Sequence, residues 1–334
     1  MIAHAVVFED ARRTVFRRID IPDPGPRDVV LRTRYSLISN GTESSFLRGE
    51  RVDGETPARP GDRLPFPQVA GYQKVGIIEK APPDSGLSAG QWAFCTISKV
   101  GLPGQPLGGH VSIAVADTSQ VYALPPGLDP VEASGLVLTQ VGYNCGFRPP
   151  VAAGDHAVVL GDGMVGHWTA QSLQHRGASV VLVGRHRYRC EMFRPGPNDA
   201  IICLDPGKKI AEEVRAVRPS GTAILVDTVG DSTAVNELLP LLGHNSHLVS
   251  AGFLGHEGRI DIQRLRMRET TLHCPSGWAR DRMEATLELV ASGVLRVSPL
   301  ITHRLPAKDA PEAFRLILEK AHPFLGILLD WDRP

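Results

Sequence analysis

The stretch that most restricts the fold of this chain lies at residues 155–187. A short apolar run from Asp155 to Leu160 leads into Gly161-Asp162-Gly163-Met164-Val165-Gly166. After His167-Trp168-Thr169-Ala170-Gln171-Ser172-Leu173, a second β-branched run arrives at Val180-Val181-Leu182-Val183. Runs of this length and composition read as buried strands, and the spacing between them is that of a βαβ unit. The glycines stand at G-x-G-x-x-G spacing, so each has a physical role: Gly161 permits the tight turn, Gly163 lets a pyrophosphate approach the backbone, and Gly166 lets the helix pack close to the strand. The helix N-terminus, with Met164 and Val165 in its first turn, offers free N–H groups to phosphate. The spacing therefore predicts a dinucleotide site.

The end of the second strand indicates which dinucleotide. An NAD site commonly places Asp or Glu there to bond the ribose 2′-hydroxyl. Here the position holds Gly184, followed by Arg185, His186 and Arg187. Glycine leaves room for a 2′-phosphate and guanidinium groups bind one in a bidentate way, so the residues predict NADP(H).

A chain of 334 residues is long enough for two domains. A net charge of zero and 22% charged residues give no nucleic-acid surface. No apolar run reaches membrane-spanning length, and Met1-Ile2-Ala3-His4 opens a strand, so the expectation is a cytoplasmic enzyme without membrane or nucleic-acid partners. Cys95, Cys145, Cys190, Cys203 and Cys274 contain no C-x-x-C pair and are read as buried free thiols.

Up to about residue 124 the chain alternates short apolar runs with Gly- and Pro-rich turns, which predicts a β-rich region; residues 49–67 read as a mobile surface loop or lid. A helical region from Pro130 leads to the glycine turn. Beyond it, strands at Ala200–Leu204, Thr222–Asp227 and Leu248–Gly252 alternate with helices at Lys208–Val217 and Thr233–Leu242, the pattern of a parallel sheet covered on both faces. An amphipathic helix is expected at Met283–Ser292, with Gly293 as its cap. Ile301–Leu305, a helix Ala310–Lys320 and Gly326–Asp330 read as a return to the first domain. The expected domains are 1–125 with 297–334, and 126–296.

This layout resembles the medium-chain dehydrogenase/reductase superfamily over the whole chain. The resemblance is carried by Gly71-Tyr72-Gln73-Lys74-Val75-Gly76, Gly108-Gly109-His110, the glycine turn and Ile301-Thr302-His303-Arg304-Leu305-Pro306. Ile38-Ser39-Asn40-Gly41-Thr42-Glu43 and Leu329-Asp330-Trp331 are similar to the bacteriochlorophyllide hydroxyethyl dehydrogenase branch, which oxidises a secondary alcohol on a chlorin to a ketone. The resemblance implies an α/β fold, with a GroES-like β-rich catalytic domain and a Rossmann doubly wound parallel-sheet cofactor domain. It also implies a homodimer, and a place near the nicotinamide for Gly252 and Phe253.

Zinc-binding members carry Cys, His and a further Cys or acid where this chain has Ser39 or Asn40, Tyr72, and Val137-Leu138-Thr139. Catalytic zinc needs about three nitrogen, sulfur or carboxylate ligands, so the expectation is a metal-free enzyme, the remaining alternative being an unusual site built from His110, Glu43 and another group. Tyr72, Thr42, Ser39 and Asn40 are then the protic candidates at the reacting oxygen. Lys74, two residues on, is read either as lowering the pKa of Tyr72 or as a solvated lysine. Glu43 is expected to hold a structural Arg, Gln73 to orient a neighbour, and Tyr143 and Trp278 to wall a substrate pocket or pack in the core. Gly326 stands where relatives often carry a pyrophosphate-binding Lys or Arg. These residues imply interconversion of a small-molecule secondary alcohol and a ketone. The alternatives are a metal-free enoyl or quinone reductase and a non-catalytic NADPH-binding sensor.

Overall fold

A computed structural model describes residues 1–100 and 108–332. It divides into two compact units, Met1–Val137 with Arg296–Pro334, and Leu138–Leu295. The first opens with β1 (Ile2–Asp10), β2 (Arg13–Asp20) and β3 (Asp28–Leu37), then helix α1 (Asn40–Leu47). A small hairpin follows, β4 (Arg51–Asp53) with β5 (Thr56–Pro57), and then β6 (Gln68–Val69), β7 (Lys74–Lys80), β8 (Trp92–Cys95), β9 (Ile113–Asp117), β10 (Val121–Ala123) and the short helix α2 (Pro130–Ala133). The period-2 alternation of β1 divides its side chains between two cores. Ala3, Ala5 and Val7 enter one, and Val6 and Phe8 the other.

Helix α3 (Leu136–Phe147) leads into the second unit, where strand and helix alternate. Its elements are β11 (His156–Leu160), α4 (Met164–His175), β12 (Ser179–Gly184), α5 (Arg187–Cys190), β13 (Ala200–Cys203), α6 (Ile210–Val217), β14 (Thr222–Asp227), α7 (Ser232–Leu238), β15 (Leu242–Ser250), α8 (Ile262–Met267), β16 (Thr271–His273) and α9 (Arg280–Ala291). The six strands pair in parallel in the order β13-β12-β11-β14-β15-β16. The order reverses direction between β11 and β14, and in such sheets ligands bind beyond the carboxyl ends of the strands at that point. On β11, Val158 and Leu160 enter one apolar cluster while Ala157 and Val159 enter the other, so both faces are buried.

The chain then returns to the first unit with β17 (Ile301–Pro306), α10 (Ala310–Glu319) and β18 (Gly326–Asp330). β18 is buried throughout and lies between β17, its parallel partner, and β3, its antiparallel one.

The fold is the expected pair of architectures, with local differences. Residues 49–67 contain the β4–β5 hairpin, anchored by the buried Arg51, which donates to Ser45 Oγ at 2.6 Å and to the Gly54 carbonyl at 2.9 Å. The first unit extends to Val137 instead of ending near 125. The reason is Glu132 on α2, whose carboxylate accepts the Val297 N–H at 2.7 Å and the Ser298 N–H at 3.2 Å. β15 begins at Leu242, six residues before the expected start, and β16 was not anticipated.

Candidate functional site

In the first unit the loop before α1 and the segment before β7 bring three of the four protic candidates together. Tyr72 is 7% exposed and hydrogen-bonds with Ser39 and Thr42. Burial raises its pKa above the ordinary phenol value, and the nearby Glu43 adds to this, although Ser39 and Thr42 oppose it. Tyr72 is therefore a neutral hydrogen-bond donor at any working pH. Asn40 is used differently: its amide donates to the Leu325 carbonyl. Gln73, also buried, donates to the Leu37 carbonyl at 3.0 Å and so fixes the end of β3.

Beside this group lies a buried dyad. His110 Nε2 is 2.9 Å from Glu43 Oε2, and His110 Nδ1 is 2.9 Å from Ser36 Oγ, which also accepts from Trp331 Nε1 at 2.9 Å. The other Glu43 oxygen accepts the Ser39 N–H at 2.8 Å, so one carboxylate fixes both the histidine and the start of α1. Glycine makes the approach possible: a Cβ on Gly71 would stand 2.7 Å from the His110 ring, and one on Gly109 2.1 Å from the Tyr72 nitrogen. Both His110 nitrogens are thus engaged within the protein. Among the described residues no three His, Cys, Asp or Glu side chains are grouped to hold a metal ion.

Lys74 corrects both readings given to it. It is neither solvated nor paired with Tyr72, for it is fully buried and donates to the Thr96 carbonyl at 2.8 Å and the Gly108 carbonyl at 3.1 Å. Burial holds its pKa below the usual lysine range and raises that of the neighbouring Cys95 thiol. A strand-period argument placed Lys74 on the side of Tyr72, but Tyr72 lies in a bend before β7, where period 2 does not hold.

In the second unit the glycine turn has the shape a pyrophosphate needs. Gly161 has φ +119°, and a Cβ there would stand 2.3 Å from Thr228 Oγ1. A Cβ on Gly166 would overlap the Gly161 carbonyl oxygen at 1.9 Å, so helix and turn touch backbone to backbone. Gly163, the N-cap of α4, faces open space, and the N–H groups of Met164, Val165 and Gly166 form the first turn behind it. Residues Gly161 to Gly166 therefore fit a dinucleotide pyrophosphate. Gly252, just after β15, meets the Gly230 nitrogen at 1.8 Å from its notional Cβ, and the Phe253 carbonyl lies against Gly230. These packing relations hold the β14 and β15 ends together. At Gly326 the local reason for glycine is similar, since a Cβ would stand 2.7 Å from the Leu300 carbonyl. Tyr143 stacks on Phe147 at 4.3 Å.

The residue that sequence reasoning missed is Asp162. Its side chain fills the space above Gly184, where a Cβ would lie 2.5 Å from both Asp162 Cβ and Oδ2. Oδ2 accepts the N–H groups of Arg185 and His186, each at 2.8 Å, and the His186 ring at 3.0 Å, while Arg189 stands 3.7 Å from Oδ1. Burial works to raise the Asp162 pKa, but the two N–H groups and the imidazole hold it below the usual carboxylate range. Arg185 itself pairs with Asp231 at 2.7 Å, and Arg187 is exposed. The available signal was a charged residue at an interior position of an otherwise apolar glycine turn.

His167, on the first turns of α4, is buried, and its Nε2 has no hydrogen-bond partner. Burial pushes its pKa down to about 4, against the pull of Asp162. Above pH 6.5 both folded and unfolded chains carry it neutral. As pH falls toward 4 the unfolded chain takes up a proton that the folded one refuses, so stability is lost across that window by about 3 kcal/mol. Urea unfolding at pH 7.5 and pH 4 should show His167→Gln losing that much less on acidification than the unsubstituted protein; equal losses would remove His167 from the account.

Comparison with known proteins now bears on these two sites. A family model described as zinc-binding dehydrogenase matches residues 165–292. The 2-desacetyl-2-hydroxyethyl bacteriochlorophyllide A dehydrogenase of Cereibacter sphaeroides is 28% identical, with 98% of each chain covered. These findings support membership of the medium-chain dehydrogenase/reductase superfamily. Among solved structures, a protein described as a short chain alcohol dehydrogenase from E. coli CFT073, complexed with NADH, shares the fold at TM-score 0.83 and 16% identity, over 99% of both chains. A Sinorhizobium meliloti protein bound to NADP does so at TM-score 0.79 and 20% identity, again over 99% of both. The dehydrogenase match and the dehydrogenase relatives accordingly make the chain an oxidoreductase. The family model covers the coenzyme half alone, so its zinc refers to none of the residues around Tyr72.

Proposed function

We propose that this protein interconverts a secondary alcohol and a ketone by direct hydride transfer, with NADP(H) as coenzyme and without zinc. The observation that carries the reading is that buried Tyr72 and Ser39, neutral hydroxyls at positions where zinc-binding members of the superfamily carry metal ligands, hydrogen-bond to each other with the half-buried Thr42 beside them. Their phenol and alcohol oxygens make a poor zinc site but suitable donors to a carbonyl oxygen. When bound, the coenzyme supplies or accepts the hydride. The chain's own part is to hold the pyrophosphate at Gly161–Gly166, offer Arg185, His186 and Arg187 to a 2′-phosphate, and exchange a proton through Tyr72, Ser39 and Thr42. Glu43 and His110 keep α1 and the Tyr72 segment in register.

Two further readings accompany this one. No helix among the described residues is long and apolar enough to cross a membrane, and we place the enzyme in the cytoplasm. We also propose a homodimer, supported by the exposed Ile262 and Met267 of α8 and Leu272 on the edge strand β16.

The test is a panel of secondary alcohols, ketones and α,β-unsaturated ketones with NADPH and NADH, run beside metal analysis of the purified protein. Turnover of alcohols and ketones with NADPH and no stoichiometric zinc is the expected result. Reduction confined to unsaturated ketones would replace the reading with an alkene reductase, and tight binding without turnover with a sensor.

A further inference from the structure

The end of β12 lacks the carboxylate that would discriminate between coenzymes, yet a carboxylate is there. It comes from the glycine turn, through the gap that Gly184 leaves. Successive backbone N–H groups pointing at one spot form an anion cradle. The N–H groups of Arg185 and His186 converge in this way, with the His186 ring beside them and Arg189 behind. This is the basic turn expected to receive a 2′-phosphate, and its backbone donors are already bound to Asp162 Oδ2.

We propose that Asp162 is an internal anion seated in the cradle a 2′-phosphate would use, and that it weakens binding of phosphorylated relative to unphosphorylated adenosine. The inference rests on the dinucleotide reading and refines it. Arg185 and Arg187 attract a 2′-phosphate, whereas Asp162 repels it and occupies its backbone donors, so coenzyme preference is the balance of the two. Asp162 is buried and lies against Gly184, which limits its freedom to swing aside. Two like charges a few ångströms apart in a partly buried site repel strongly. The opposite assignment makes Asp162 only a tether that shapes the turn for phosphate, and it predicts the opposite sign on removal.

Calorimetric titration with adenosine 2′,5′-bisphosphate and with 5′-AMP reads this directly, without turnover. In Asp162→Asn, which keeps an acceptor but loses the charge, the bisphosphate-to-AMP affinity ratio should rise about tenfold, a difference of about 1.4 kcal/mol. Asp162→Ser, which empties the cradle, should raise it as well, and thermal melting establishes that each variant is folded. A ratio that is unchanged or falls in the folded variants overturns the proposal. If neither ligand binds the unsubstituted protein or the variants, the dinucleotide reading fails and the proposal with it; binding of both with an unmoved ratio defeats the proposal alone.

Discussion

Tyr72→Phe is expected to lower kcat for ketone reduction by about 10²- to 10⁴-fold, the range for losing a positioned proton donor, while coenzyme affinity stays unchanged. The phenol is buried and joined to Ser39 and Thr42, and burial keeps it protonated. It can give up a proton only as one is restored along those hydroxyls, and it should add no ionisation near neutrality to the pH–rate profile. If Tyr72 were only a packed core residue, the substitution would leave kcat intact and cost about 1 kcal/mol of stability for one lost hydrogen bond. Steady-state kinetics beside thermal melting separates the cases, and an unaltered kcat would end the assignment.

Lys74→Ala should be among the most destabilising single substitutions in the first unit. Removing the side chain leaves the Thr96 and Gly108 carbonyls without their buried donor and opens a cavity beside Cys95. Losses of this kind run to about 3–5 kcal/mol. Lys74→Met refills the volume and removes the need to bury an amine, so it should cost less, about 1–3 kcal/mol for the two unpaired carbonyls. Urea midpoints should therefore fall in the order unsubstituted, Met, Ala. A midpoint for Ala equal to that of the unsubstituted protein would show that the buried amine contributes nothing.

What could be read beforehand, and what could not, follows from the range of the interactions. The glycine turn was legible because the contact of helix with turn is local, and the notional Cβ at Gly166, 1.9 Å from the Gly161 carbonyl, makes that contact visible. The alternating strands and helices of the second unit were legible for the same reason, since their apolar periods are local. Lys74 and Asp162 were misread or missed because their partners lie far away in sequence: Gly108 for the one, Arg185 and His186 for the other. Gly184 was recognised as a gap, but composition does not say what fills a gap. The His110–Glu43 contact likewise depends on two separate glycine approaches, at Gly71 and Gly109, that no periodicity announces.

The position of β18 bears on how the chain is made. The second unit is one contiguous stretch, whereas the first lacks an interior strand until β18 enters between β3 and β17. A ribosome delivers the residues of β3 before the second unit and those of β18 after it. During synthesis the usual amino-terminal-first order of domain folding is thus reversed here: the coenzyme unit can close on the nascent chain, while the amino-terminal unit keeps an open sheet edge until the closing segment emerges.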